Sequence, residues 1–188
     1  MRGVSILFGV FAIFMLSNCG GSQSAYGTQQ DKVLVDSLIA KREFRIVNQW
    51  ALPMMSSSMM KIASSGILGP GNSGQRIDLS GNGNFLEFKG DTVKAFLPYF
   101  GERHMGGGYN TDGVGIHFDQ VVETIQFDYK NAKDQHIIKF RAKDGAETFE
   151  LTLFVFSNKK SSLLVSSSQR DMIRYEGNII ALPEKDRP

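Results

Sequence analysis

The chain carries one cysteine and three histidines, and their settings bound the chemistry open to it. Cys19 stands behind Arg2, an unbroken apolar and small-residue run from Val4 to Leu16, and Ser17-Asn18, and it precedes Gly20-Gly21. A basic start with an apolar core of about 7 to 15 residues is the pattern of an export signal, whereas a spanning helix needs roughly 20 apolar residues. A large apolar residue, two small polar ones and a cysteine at its end resemble the pattern of a cysteine that receives lipid. The competing readings are an ordinary buried thiol, or a signal cut further on near Ala25. Several acyl chains hold a protein firmly where one holds it only reversibly, so a triacylated Cys19 anchors the domain to a membrane.

Aromatic and imidazole groups gather after one strand end. Pro98 stops a strand just before Tyr99 and Phe100, and His104 and Tyr109 follow in a glycine-rich loop, Gly101 to Gly115. These four are the candidate ligand-binding residues, at the mouth of a curled sheet where such pockets form. The alternative is that Tyr99 and Phe100 are core residues at a strand end.

Catalytic and metal chemistry lacks a pattern. His104, His117 and His136 lie in separate segments without His-x-His or His-Glu-x-x-His spacing. Asn110 and Asp112 lack the regular oxygen spacing and closing Glu of a calcium loop. Gly106-Gly107-Gly108 is not followed by Gly-Lys-Ser or a helix signal, so no phosphate cradle is expected. No serine sits in Gly-x-Ser-x-Gly, and carboxylates such as Asp119 and Glu123 would need fixed separation on facing elements to act as a pair. The expectation is no catalytic residue, no metal and no cofactor. The formal net charge is +2, of which Arg2 leaves with the signal, and nothing here calls for nucleic acid.

The elements that must position these residues follow from composition and period. Residues 1–18 read as a lipoprotein signal peptide and 19–30 as lipid anchor and flexible tether, whose small polar stretch reaches about 17 to 20 Å. Residues 31–188 read as a single β-rich domain with a long loop at 54–74. From Asp31 to Arg42, the pairs Leu34 with Leu38 and Val35 with Ile39 predict a short amphipathic helix capped by Thr28 or Asp31. No second helix is expected.

The remainder reads as strands. A Gly90-Asp91 turn sets Phe88 opposite Val93, Leu86 opposite Ala95, Glu87 opposite Lys94 and Phe85 opposite Phe96. An Asp144-Gly145 turn sets Phe140 opposite Phe149, Ile138 opposite Leu151, Lys139 opposite Glu150 and His136 opposite Leu153. Further strands are expected over 44–52, 76–80, 114–118, 121–129, 162–167 and 172–182. The expected fold is mainly β, an antiparallel meander forming a curled sheet or small barrel, lipocalin-like in outline, with one short N-terminal helix that plugs or covers an open end. The loop at 54–74, with Met54, Met55, Met59 and Met60, reads as a mobile insertion or as soft apolar surface for lipid or a partner.

The run Gly90 to Gly101, with Leu97-Pro98-Tyr99-Phe100-Gly101 its most specific stretch, and Gly113 to Asp119 resemble the centre of a family of envelope lipoproteins catalogued as domain of unknown function 4251 (DUF4251). Ala51-Leu52-Pro53-Met54, Ser166 to Arg170 and Ile173 to Gly177 are similar to it as well, and the likeness spans about Asp31 to Ile180. The Met- and Ser-rich loop departs from the family's pattern. The resemblance implies a lipoprotein address and a mostly β domain, and it brings no activity, substrate or catalytic residue. The function expected is a non-enzymatic, lipid-anchored module at the outer membrane facing the periplasm. Its partner would be an apolar small molecule, a peptide or an envelope protein. The alternatives are a structural subunit of an outer-membrane assembly and, third, a hydrolase.

Overall fold

The structure, a computed structural model, describes residues 27–104 and 115–183; Cys19, the signal and Tyr109 lie outside the described residues. A helix, α1 (Gln29–Lys41), opens the domain two residues earlier than expected. Thr28 and Asp31 share the capping: the Thr28 hydroxyl accepts from the Asp31 N–H at 3.1 Å, and the Asp31 carboxylate accepts from the Thr28 N–H at 3.3 Å. Val35, Leu38 and Ile39 are buried while Leu34 is exposed, so the inward stripe runs i, i+3, i+4. Arg42 ends the helix in the left-handed region.

Ten antiparallel strands follow: β1 (Glu43–Pro53), β2 (Ile77–Asp78), β3 (Phe85–Lys89), β4 (Thr92–Leu97), β5 (Ile116–Val121), β6 (Ile125–Lys130), β7 (Gln135–Asp144), β8 (Glu147–Phe156), β9 (Lys160–Ser167) and β10 (Ile173–Ala181). The sheet order is β5-β4-β3-β1-β10-β9-β8-β7-β6, with the two-residue β2 paired beside β1. Two meanders, β3 to β5 and β6 to β10, are therefore joined by β1, which lies mid-sheet. The sheet curls into a half-barrel. Its edge strands β5 and β6 do not pair in the described residues, although Gln120 Nε2 donates across the seam to the Lys143 carbonyl at 2.9 Å.

The first hairpin has the expected register at all four pairs. The second does not. Phe140 faces Leu151, Ile138 faces Leu153, Arg141 rather than Lys139 faces Glu150, and His136 faces Val155. The turn residues are Gly145-Ala146, so the partner strand slips by two positions. Two is the side-chain period of a strand, and every residue keeps its face.

A second helix, α2 (Ser57–Ser64), corrects the expectation of a structureless loop. Ser56 caps it, its hydroxyl accepting from the Met59 N–H at 3.1 Å, and Met59 is buried. A polar capping residue and one apolar anchor suffice for two turns held by tertiary contact.

The inner face of the curl is filled. Phe44 and Phe88 stack at 4.7 Å, Phe88 meets Phe140 edge-on at 5.4 Å, and Phe118 lies 6.3 Å from Phe149. Tyr175, also fully buried, donates its hydroxyl to the Pro98 carbonyl at 2.8 Å. Helix α1 lies across one end, tied to three strand turns: Arg42 pairs with Asp91, Lys32 with Asp134, and Lys159 with Asp31. His136 on β7 adds a contact to Asp36 of the helix at 2.7 Å.

Candidate functional site

Of the predicted mouth residues, Tyr99, Phe100 and His104 lie at the end of the half-barrel opposite α1, on the segment that follows β4. The loop is pinned to 169–171 by backbone bonds, His104 N–H to the Gln169 carbonyl at 2.7 Å and Asp171 N–H to the Glu102 carbonyl at 3.1 Å. The Tyr99 hydroxyl shares its proton between the Glu102 and Asp171 carbonyls, each at 3.0 Å. Burial, and then the nearby Asp171 carboxylate, push this phenol up to about 12. Exposed His104 places Nε2 2.6 Å from Asp171 Oδ1. Tyr99 and His104 thus converge on Asp171, while Phe100 packs against the core.

Arg170 and Glu147, the charged centre of this end, escaped the sequence reading. Both side chains are 4% exposed. Arg170 Nε donates to the two carboxylate oxygens at 2.8 and 3.1 Å, Nη2 to Oε2 at 2.9 Å, and Nη1 to the Gly115 carbonyl at 2.8 Å. The guanidinium sits 5.2 Å from the Tyr99 ring centre. Arg103 reaches Glu147 at 3.3 Å and Gln169 at 3.1 Å. The legible signal was Glu147 itself, which occupies an inward position in the alternation Phe149, Leu151, Leu153, Val155. Among the described residues, the polar groups here are bonded to one another and hold the loop. No group of three or more metal-ligating side chains occurs among the described residues.

A different arrangement stands on the outward face. The register of β1 shifts between Asn48 and Trp50, a bulge that re-aims the chain's one tryptophan. Buried Asn84 fixes it from beneath: its Oδ1 accepts from the Asn48 N–H at 3.2 Å and its Nδ2 donates to the Asn48 carbonyl at 3.0 Å. Gly177 of β10, opposite Asn48, is required by close approach, since a Cβ there would lie 2.7 Å from the Asn48 Cα. Strand β2 places Asp78 beside Trp50, and the Arg76 guanidinium lies over the indole at 3.7 Å. Hydrogen bonds from Ser80, and then the Arg76 charge, hold the Asp78 carboxyl below its usual range.

Trp50 and Phe156 form opposite walls of a concavity of about 560 Å³, whose floor includes Glu176, Ser162 and Asn178. One transverse row of the sheet reads Trp50, Glu176, Ser162 and Phe154; the next reads Val47, Asn178 and Lys160. The side-chain amides of Gln49 and Asn178 and the Ser162 hydroxyl have no hydrogen-bond partner among the described residues. Such geometry can bind; it holds no nucleophile with an oriented base. None of these residues was singled out from sequence, because the bulge and the β2 pairing arise from contacts distant in the chain.

No curated protein matches the chain. Among solved structures, the crystal structure of a DUF4251 family protein from Bacteroides eggerthii DSM 20697 has a similar fold. The TM-score is 0.55 at 10% identity, covering 85% of this chain and 92% of that one. The sequence profile of the family described as domain of unknown function (DUF4251) matches residues 27–179. With the match spanning the whole half-barrel from the α1 cap into β10, the chain belongs to the DUF4251 family.

Proposed function

We propose that the protein is a non-enzymatic, lipid-anchored binding module of the cell envelope, facing the periplasm, that recognises its partner on the outside of the half-barrel. The observation that carries this reading is the contrast between the two faces. Inward positions are occupied by fully buried Phe44, Phe88, Phe149 and Tyr175. The outward wall carries Trp50 beside a polar floor where Ser162 and Asn178 have no hydrogen-bond partner among the described residues. A lipocalin-like interior site for an apolar molecule has no such support. Residues 19–26 would tether the end of the domain that α1 covers, leaving the strand walls free.

The test is capture from a cell-envelope extract by the full-length protein, compared with its Trp50→Ala variant and an exposed control, Lys94→Ala. Binding lost only in Trp50→Ala, together with a bare native mass, supports the reading. A carried molecule of small mass, with extract binding insensitive to Trp50→Ala, refutes it.

A second reading, a structural subunit of an outer-membrane assembly, is favoured by one observation. Met54, Met55, Met60, Ile62 and Ile67, on and around α2, are all exposed, Ile67 to 78%. An apolar cluster of this kind is the usual mark of a protein contact.

A further inference from the structure

We infer that the Trp50 concavity binds a neutral, hydroxyl-rich ring ligand, a saccharide. This deepens the outward-face reading above and rests on it. Three observations converge on that ligand class. The first is the pair of aromatic walls. Trp50 on β1 and Phe156 on β8 are three strand spacings apart, about 14 Å at ~4.8 Å per strand, and both are half-buried. The Arg76 guanidinium covers one face of the indole at 3.7 Å, so the other indole face and the Phe156 ring offer the negative charge density that attracts the C–H groups on the flat face of a pyranose.

The second is the floor. Glu176, Ser162 and Asn178 present acceptors and donors on short stems along two adjacent rows. With Gln49, they offer both polarities, as a hydroxyl requires because each hydroxyl gives one proton and accepts others. The third is charge. The lining cations Arg76 and Lys160 stand around Glu176, which Arg174 also meets at 4.0 Å, with Asp78 beside Trp50, so both signs are interspersed rather than gathered into one anion or cation site. A floor this polar also disfavours an alkyl ligand, since each group would be desolvated unpaired.

Strand addition by a peptide is excluded by topology. Strands β8, β9, β10 and β1 are each paired on both sides, so no free backbone edge is offered here. Recognition must come from side chains alone.

The single tryptophan makes the site its own reporter. The full-length protein is titrated with malto-, cello-, xylo-, manno- and N-acetylchito-oligosaccharides while Trp50 emission is followed. Calorimetry covers variants that lack the indole. The expected result is a saturable emission change with at least one series, weakened roughly tenfold or more by Asn178→Ala and by Glu176→Ala at unchanged Tm. Trp50→Ala should abolish the calorimetric signal.

No saturable change with any series overturns the inference, as does one that both floor substitutions leave intact. If saccharides are silent but Trp50→Ala still removes extract binding, the saccharide assignment falls and the outward-face module stands. If Trp50→Ala changes neither, both fall.

Discussion

Replacing Glu147 by Ala should be among the most damaging single changes in the molecule. It removes the carboxylate that accepts three bonds from Arg170, at 2.8, 3.1 and 2.9 Å, inside a site where each side chain is 4% exposed. What stays behind is a buried guanidinium held by the Gly115 carbonyl and stacked near Tyr99. Two unit charges about 4 Å apart at an effective dielectric near 20 attract by about 4 kcal/mol. Breaking one partner of a buried pair typically costs about 3–5 kcal/mol, because the other charge remains desolvated. For a domain of this size each kcal/mol lowers Tm by about 2–4 °C, so a fall of roughly 10 °C is expected. The assay is denaturant unfolding followed in parallel by Trp50 emission and far-ultraviolet circular dichroism. Arg170→Met combined with Glu147→Leu should recover most of the loss, since apolar residues of similar volume need no solvation. A loss below about 1 kcal/mol for Glu147→Ala would mean that water solvates Arg170, and the account of this end as a closed ionic knot would be wrong.

Gly177→Ala should destabilise by about 1–3 kcal/mol, because the new methyl meets the Val47 carbonyl and the Asn48 Cα. It should also move Trp50 emission in the folded state; an unchanged spectrum and melting point would show that the bulge is not held from β10. Acid should loosen α1. Lys32 and Tyr129 hold the Asp134 carboxyl down to about 2, and Lys159 and Thr28 lower Asp31. A carboxyl depressed in the folded state contributes stability above its unfolded value, about 3.9, and loses it as pH falls through the folded value. Protection factors of the α1 amides, corrected for intrinsic exchange, should therefore fall between about pH 4 and pH 2, ahead of the strands; protection that falls together in both would refute the helix as a separately tied element.

The legible part of this fold was local. Period-2 alternation placed strands near all the observed ones, and a capping threonine placed α1. The two hairpins show where local reasoning divides. Both turns put glycine at the first central position with positive φ, Gly90 at 64° and Gly145 at 56°, and the second turn residue does not take positive φ. That is the backbone pattern in which glycine leads the turn. Applied to both, it yields Gly90-Asp91 and Gly145-Ala146. Placing Gly145 second slips the register by two, and charge does not discriminate between the two registers because Glu150 can meet either Lys139 or Arg141 across the strand. An ion pair on an exposed face is weak evidence for register, since neighbouring long side chains of like charge offer equal partners.

The position of β1 and the Trp50 site were hidden for a common reason. A strand whose neighbours are β3 and β10 gains its partners across long loops, so nothing in its own alternation separates a central from an edge strand. Yet its inward residues held a local anomaly: Phe44 and Ile46 are followed by Asn48, an amide where the pattern demands an apolar group. A buried amide needs partners; Asn48 Nδ2 donates to Asn84 Oδ1 at 3.0 Å while Asn48 Oδ1 has no partner among the described residues, and Asn84 Nδ2 in turn donates to the Asn48 carbonyl at 3.0 Å. The bulge turns Trp50 onto the outward face, where a large indole gains less by burial than it would inside. An inward amide beside an outward tryptophan on one strand therefore marks a bulge, and this one aims the indole into the outward concavity. That logic makes Asn84→Leu informative beyond stability. Leucine fills the volume but cannot bond the Asn48 backbone, leaving its N–H and carbonyl unpaired at a cost of about 1–3 kcal/mol each way of counting. If the amide pair exists to aim the indole, Trp50 emission and ligand binding in Asn84→Leu should change even in the fully folded protein.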